Sequence, residues 1–78
     1  MDDTRYDSKL DCRGLNCPLP VIKTKKTLDD MAPGDTLKII SNDPGSKKDI
    51  ESWIKLSGNK MISIVTKNKD FIFYIKKS

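Results

Sequence analysis

Two β-rich runs near the end of the chain, residues 60–66 (KMISIVT) and 70–76 (DFIFYIK), stand either side of three polar residues. They pair most simply as a hairpin. Whatever precedes them must therefore build onto a sheet. Residues 8–12 (SKLDC) alternate, with Leu10 and Cys12 on one side and Lys9 and Asp11 on the other, which reads as a short strand with one wet face. Residues 36–41 (TLKIIS) form another β-rich run.

Between the strands the apolar period lengthens. From Pro18 to about Met31, the residues Val21, Thr24, Leu28 and Met31 follow three- and four-residue steps, one face of a helix. The APGD run ends it, since Pro33 cannot continue the pattern and Gly34 suits a terminal turn. A second helix has Asp43 as its cap and Pro44 at its first position. Ile50, Trp53 and Ile54 form its inward stripe, and Gly58 stops it. Trp53 is read as core rather than as a stacking platform.

The order is β-α-β-α-β-β. This predicts an α+β fold, a two-layer α/β sandwich whose four-stranded mixed sheet carries both helices on one face. The opposite face is expected to be lysine-rich, with scattered apolar residues such as Ile40 and Ile72. Residues 1–78 read as a single domain, with 1–7 a polar, flexible N-terminal end.

A chain of 78 residues buries roughly 60–65% of its unfolded surface, so the core is one modest layer. Any chemistry is expected at the surface and with few residues. Histidine is absent, which removes the usual general base and excludes a Ser-His or Cys-His nucleophile pair. Cys12 and Cys17 stand five apart, not at zinc-site spacing, and no second cysteine pair follows. Neither a metal nor a cofactor is expected. No run of about 18 apolar residues suggests a membrane span. The acidic N-terminus is no secretory signal, and two cysteines do not make a secreted disulfide scaffold, so a cytoplasmic location is expected.

The stretch 14–20 (GLNCPLP) carries the chemistry. Cys17 reads as the N-cap of the first helix, with Pro18 as the first helical residue and Pro20 in the same turn. Prolines are tolerated there because those N–H groups lack partners inside the helix. Gly14 gives the preceding turn its freedom. A sulfur at a helix start meets the positive end of the helix dipole and backbone N–H groups, those of Leu19 and Val21 among them, and both favour thiolate. Arg13 with Lys23, Lys25 and Lys26 adds positive potential. The same environment suits a persulfide, so sulfur transfer by nucleophilic exchange is within reach of this chain unaided. Cys12, in phase with Leu10, is read as core filler.

Two other classes stay open on the residues alone. The net charge of +4 could serve nucleic acid, but of 15 basic residues only Arg5 and Arg13 are arginines, which argues against direct nucleic-acid binding. A Cys12–Cys17 redox switch requires Cys12 to point away from the core.

The segments 10–28 (LDCRGLNCPLPVIKTKKTL) and 34–53 (GDTLKIISNDPGSKKDIESW) resemble the TusA/SirA-like sulfur-carrier family, marked by a C-P-x-P motif. With the final hairpin in register, the likeness covers about nine-tenths of the chain. It implies the two-layer sandwich already described. It also implies that Cys17 accepts sulfur as a persulfide from a cysteine desulfurase or other persulfide donor. The sulfur then passes to a downstream acceptor protein, in founding members toward tRNA 2-thiouridine. Pro18 and Pro20 match the motif prolines, and Asp43 matches the aspartate before the second helix. Founding members carry an arginine and an acidic residue where this chain has Asn16 and Leu19. Arg13, Asn16, Leu19, Lys25 and Asp43 are therefore the candidate partner-docking residues.

Overall fold

The computed structural model describes residues 5–16 and 18–78. It contains β1 (Ser8–Asp11), α1 (Leu19–Asp29), β2 (Thr36–Ser41), α2 (Pro44–Ser57), β3 (Lys60–Lys67) and β4 (Asp70–Lys76), the expected β-α-β-α-β-β order. The sheet is mixed, with strand order β1-β2-β4-β3; β1 and β2 are parallel, and both pairs made by β4 are antiparallel.

Register explains which residues are buried. Ile64, Phe73, Ile39 and Leu10 form one row across the four strands, and Met61, Ile75, Leu37 and Ser8 form the next. Side chains of one row share a face, and this face meets Leu28 of α1 with Ile50 and Ile54 of α2 in a single buried cluster. Both helices thus cover the same side of the sheet. Trp53 packs against that cluster as a core residue, and so do Val21 and Met31. In α1 the fully buried ridge is Pro20, Thr24 and Leu28, spaced four apart. The Thr24 hydroxyl is satisfied inside the helix by donating to the Pro20 carbonyl at 2.7 Å.

The opposite face carries the expected lysines around a buried apolar strip. Its rows are Lys67–Asp70, Val65–Ile72–Ile40–Asp11, Ser63–Tyr74–Lys38–Lys9 and Lys60–Lys76–Thr36. Ile40 and Tyr74 are buried, at 8% and 1% exposed. The Lys38 ammonium lies 5.1 Å from the Tyr6 ring centre and 5.8 Å from that of Tyr74. A lysine stem can cover apolar surface while its charge stays wet, so Lys38 helps to shelter this strip.

Element ends follow local chemistry. Gly58 closes α2 with φ of 82°, the left-handed cap that glycine takes without steric cost. The β3–β4 turn is tighter than expected: Lys67 pairs with Asp70, and Asn68 takes the positive φ of 58°. Past β4, Lys77 exchanges backbone hydrogen bonds with Gly34 and Asp35 at 2.8 Å each, and its ammonium donates to the Leu28 carbonyl near the end of α1. That places a cation at the negative end of the helix dipole. Near the start of the described chain, Asp7 is tied to β2. Its N–H donates to the Thr36 carbonyl at 2.8 Å and its carboxylate accepts the Thr36 N–H at 2.7 Å.

Candidate functional site

Parallel pairing of β1 and β2 brings two connections to one edge of the sheet: β1–α1, which carries the GLNCPLP stretch, and β2–α2, which starts at Asn42. The β3–β4 turn lies at the same edge, because Ser41 at the end of β2 pairs with Phe71 at the start of β4. Cys17 itself lies outside the described residues, and the cap of α1 that it was expected to form is taken by Pro18. Its neighbours are described.

The loop leaves the sheet from a fixed point. Cys12 is fully buried in the core cluster, and its N–H donates to the Ile40 carbonyl at 2.7 Å, prolonging the β1–β2 ladder. Burial pushes its thiol pKa up, partly offset by Lys23. A buried, protonated thiol is a poor nucleophile, and Cys12 does not point away from the core as a Cys12–Cys17 switch requires. The Leu15 N–H then donates to the Cys12 carbonyl at 3.2 Å, turning the chain. Gly14, in that turn, has φ of 84°, and a Cβ there would meet nothing within 4 Å. Gly14→Ala is therefore expected to cost about 1–2 kcal/mol through backbone strain alone. Asn at this position should cost less, because its short polar side chain tolerates left-handed backbone; urea denaturation checks both variants.

Arg13 does not stand as a free cation. Its guanidinium grips Asp11 with Nε to Oδ1 at 3.0 Å and a terminal nitrogen to Oδ2 at 2.8 Å, and its backbone N–H donates to the same carboxylate at 3.0 Å. Asp70 on β4 is 3.8 Å away. One arginine thus serves two carboxylates, and its charge is committed to them. The Arg13 hydrogen bonds hold the Asp11 pKa at about 2, below its ordinary 3.8, and the Arg13 pKa rises in turn. Because the folded value is depressed, the contribution of Asp11 to stability is present above pH 3.8 and is lost as pH falls through about 2. Asp11→Asn is expected to flatten the acid-unfolding curve across that window. The difference should shrink in high salt, since the pair is half exposed.

Helix α1 begins one residue later than expected. Pro18 occupies the cap with φ of −99°, its carbonyl accepting the Ile22 N–H at 3.1 Å, and Leu19 is the first helical residue with Pro20 second. The Leu19 N–H expected to face the sulfur instead donates to the Asn16 carbonyl at 2.9 Å, closing a turn across the motif. Asn16, Pro18 and Leu19 are exposed and adjacent along this loop. Lys25 is exposed on α1 but stands six residues past Leu19, about 9 Å along the axis. Asp43 takes the cap position of α2 as expected, but without a side-chain bond to a helix N–H: its carbonyl accepts the Ser46 N–H at 3.1 Å and its carboxylate accepts the Ser46 hydroxyl at 2.9 Å.

Two features at this edge escape sequence reading. One is Ile22, 55% exposed, which joins the already expected Leu19, 46% exposed, in an outward apolar pair on the first turn of α1. Ile22 is out of phase with the inward ridge, which is the signal that could have found it. The other feature is Asn42, whose side-chain oxygen accepts the Gly14 N–H at 3.1 Å and links the two connections. Among the described residues no group of three or more His, Cys, Asp or Glu could hold a metal ion, and no helix is long and apolar enough to cross a membrane.

Comparison with known proteins places this arrangement in context. A family model described as "Sulfurtransferase TusA" matches residues 8–77. A "Sulfur carrier protein TusA" of Allochromatium vinosum is 45% identical over 73 residues, covering 94% of this chain and 96% of that one. Another protein so named, from Pseudomonas entomophila, is 32% identical over 77 residues, 99% of this chain and 96% of its own. An Aquifex aeolicus relative is 45% identical over all 78 residues, yet the chain spans only 40% of that relative's length. The crystal structure of a SirA-like protein from Desulfitobacterium hafniense superposes with a TM-score of 0.81 at 21% identity, over 90% of this chain and 96% of that one. That likeness concerns the fold alone.

Proposed function

Since the chain belongs to the TusA sulfurtransferase family, we propose that it is a cytoplasmic sulfur carrier. It accepts sulfur as a persulfide on Cys17 from a cysteine desulfurase or other persulfide donor and hands it to an acceptor protein. The end use is tRNA thiolation or another branch of sulfur metabolism. The observation that carries this reading is the tethered loop. Hydrogen bonds from Cys12, Gly14, Leu15 and Leu19 hold the backbone on both sides of a C-P-x-P cysteine at the start of α1. The same edge leaves Asn16, Leu19 and Ile22 exposed for a docking partner.

In the proposed step the Cys17 thiolate attacks the outer sulfur of the donor's persulfide. A new S–S bond forms to Cys17 while the donor's own S–S bond breaks, and the donor thiolate leaves with the electron pair. Oxidation level is conserved, so no outside electron acceptor is needed. Thiolate is favoured at the N-terminus of a helix, whose dipole presents about half a positive charge. Delivery repeats the exchange in reverse, with the acceptor's thiolate attacking the outer sulfur.

Outward sulfane sulfur reacts with cyanide to give thiocyanate, which makes the proposal measurable. Protein incubated with a cysteine desulfurase and cysteine, then repurified, is expected to release one thiocyanate per chain. Protein that releases none after this treatment overturns the reading.

A further inference from the structure

We propose that Asn42 is a positioning residue for Cys17: by accepting the Gly14 N–H it locks the loop that carries the thiol to the start of α1. The inference rests on the sulfur-carrier reading and deepens it.

The bond itself is unusual for its residue type. Asparagine beside a turn ordinarily bonds backbone a few residues away. Here the partner of Asn42 is 28 residues distant in sequence, on the other connection. The amide orientation follows from chemistry, because only the oxygen can accept an N–H.

The place of the bond in the loop gives it leverage. Six residues, 13–18, run between Cys12 in the core and Leu19 in α1. The tethers at either end are local or belong to the sheet: Asp11 on Arg13, Cys12 on Leu15, and Asn16 on Leu19. Among the described residues the Asn42 oxygen is a tether that crosses from the β1–α1 connection to the β2–α2 connection, and it meets the loop three residues before Cys17. Gly14 takes left-handed backbone at this point, a conformation with many neighbours open to glycine. A fixed acceptor on its N–H selects one of them. Asn42 also adjoins Asp43, the cap of α2, so the loop is referenced to a rigid helix rather than to solvent.

Neutrality matters as well. Asp11, Asp43 and Asp70 already bring carboxylates to this edge. An amide supplies the acceptor without adding a further negative charge beside a reacting thiolate.

The test compares wild type with Asn42→Ala, Asn42→Gln and Asn42→Asp. Three readouts are taken: hydrogen exchange of the Gly14 amide, alkylation of Cys17 by iodoacetamide at fixed pH, and the kinetics of sulfur loading against desulfurase concentration. Loss of one hydrogen bond predicts Gly14 exchange about tenfold faster in N42A, with a melting midpoint lowered by no more than about 4–8 °C. Cys17 alkylation and the saturated loading rate are expected to fall several-fold, roughly in step with that loss, with the half-saturating desulfurase concentration unaltered. N42Q, which moves the amide outward by one methylene, should behave like N42A and serves if N42A fails to fold. N42D retains the acceptor and should restore Gly14 protection, and in high salt, which screens its added charge, the loading rate also. Faster Gly14 exchange with unaltered Cys17 alkylation and loading overturns the proposal, as does Gly14 exchange that ignores residue 42. Should wild type fail to load while alkylation still follows residue 42, the carrier reading falls and the positioning role stands. Should wild type load and every variant match it, the reverse holds.

Discussion

Phe73→Ala is expected to lower folding stability by about 3–5 kcal/mol, the range seen when a buried aromatic side chain is truncated and its space cannot collapse. Phe73 lies on the central strand β4, fully buried, with Ile39 of β2 on one side and Ile64 of β3 on the other. The two helices close over it with Leu28, Ile50 and Ile54. No other layer exists to relax into the void, because both helices sit on the same face of the sheet. A domain of this size holds a total stability of about 5–10 kcal/mol, so the variant gives up about a third of it or more. Leu56→Ala is the control. At 86% exposed on α2, it should change stability by less than about 0.5 kcal/mol. Urea titrations of the two variants measure both. A Phe73→Ala loss under about 1 kcal/mol would contradict the packing described.

The second large effect concerns the two thiols, which the fold treats differently. Cys17→Ser is expected to abolish sulfur acceptance from a desulfurase while moving the urea midpoint little, since a hydroxyl replaces the thiol at nearly the same volume. Cys12→Ser should behave in the opposite way. Cys12 is fully buried in the apolar cluster, and a hydroxyl placed there without a partner costs about 1–3 kcal/mol. The folded fraction of Cys12→Ser should still load sulfur at the wild-type rate. If Cys12→Ser lost loading while folded, the core thiol would have a part in transfer that its burial argues against.

Much of this architecture is readable from local pattern, and the exceptions have physical causes. Asp43 and Pro44 start α2, Gly58 ends it, and the parity of Leu10 and Cys12 points both inward, because each of these follows from residues within a turn of one another. The start of α1 was read one residue early. A proline lacks the N–H that neither the cap nor the first helical position needs, so it suits both, and the deciding Leu19–Asn16 turn is visible only in three dimensions. On the second sheet face the lysines stand where the alternation puts them, but the burial of Ile40 and Tyr74 among them was not legible, because part of their cover is Lys38, a residue that composition counts as surface charge.

The motif itself was plain in GLNCPLP, but its supports were not. Arg13 looked like a free cation near the sulfur, yet Asp11 and Asp70 hold it, one two residues away and the other on a distant strand. Asn42 looked like a turn residue, yet its oxygen reaches back 28 positions to Gly14. Contacts of that separation leave no periodic trace in a single sequence. They arise only when parallel β1 and β2 set the two connections side by side.

The most direct test of the central claim locates the sulfur. Wild-type protein is loaded by a cysteine desulfurase with isotopically labelled cysteine, its remaining thiols are blocked, and the digest is sequenced by mass spectrometry. The labelled sulfur is expected as a persulfide on the peptide containing Cys17, with none on the peptide containing Cys12. Label on Cys12, or no label on either, would contradict that claim.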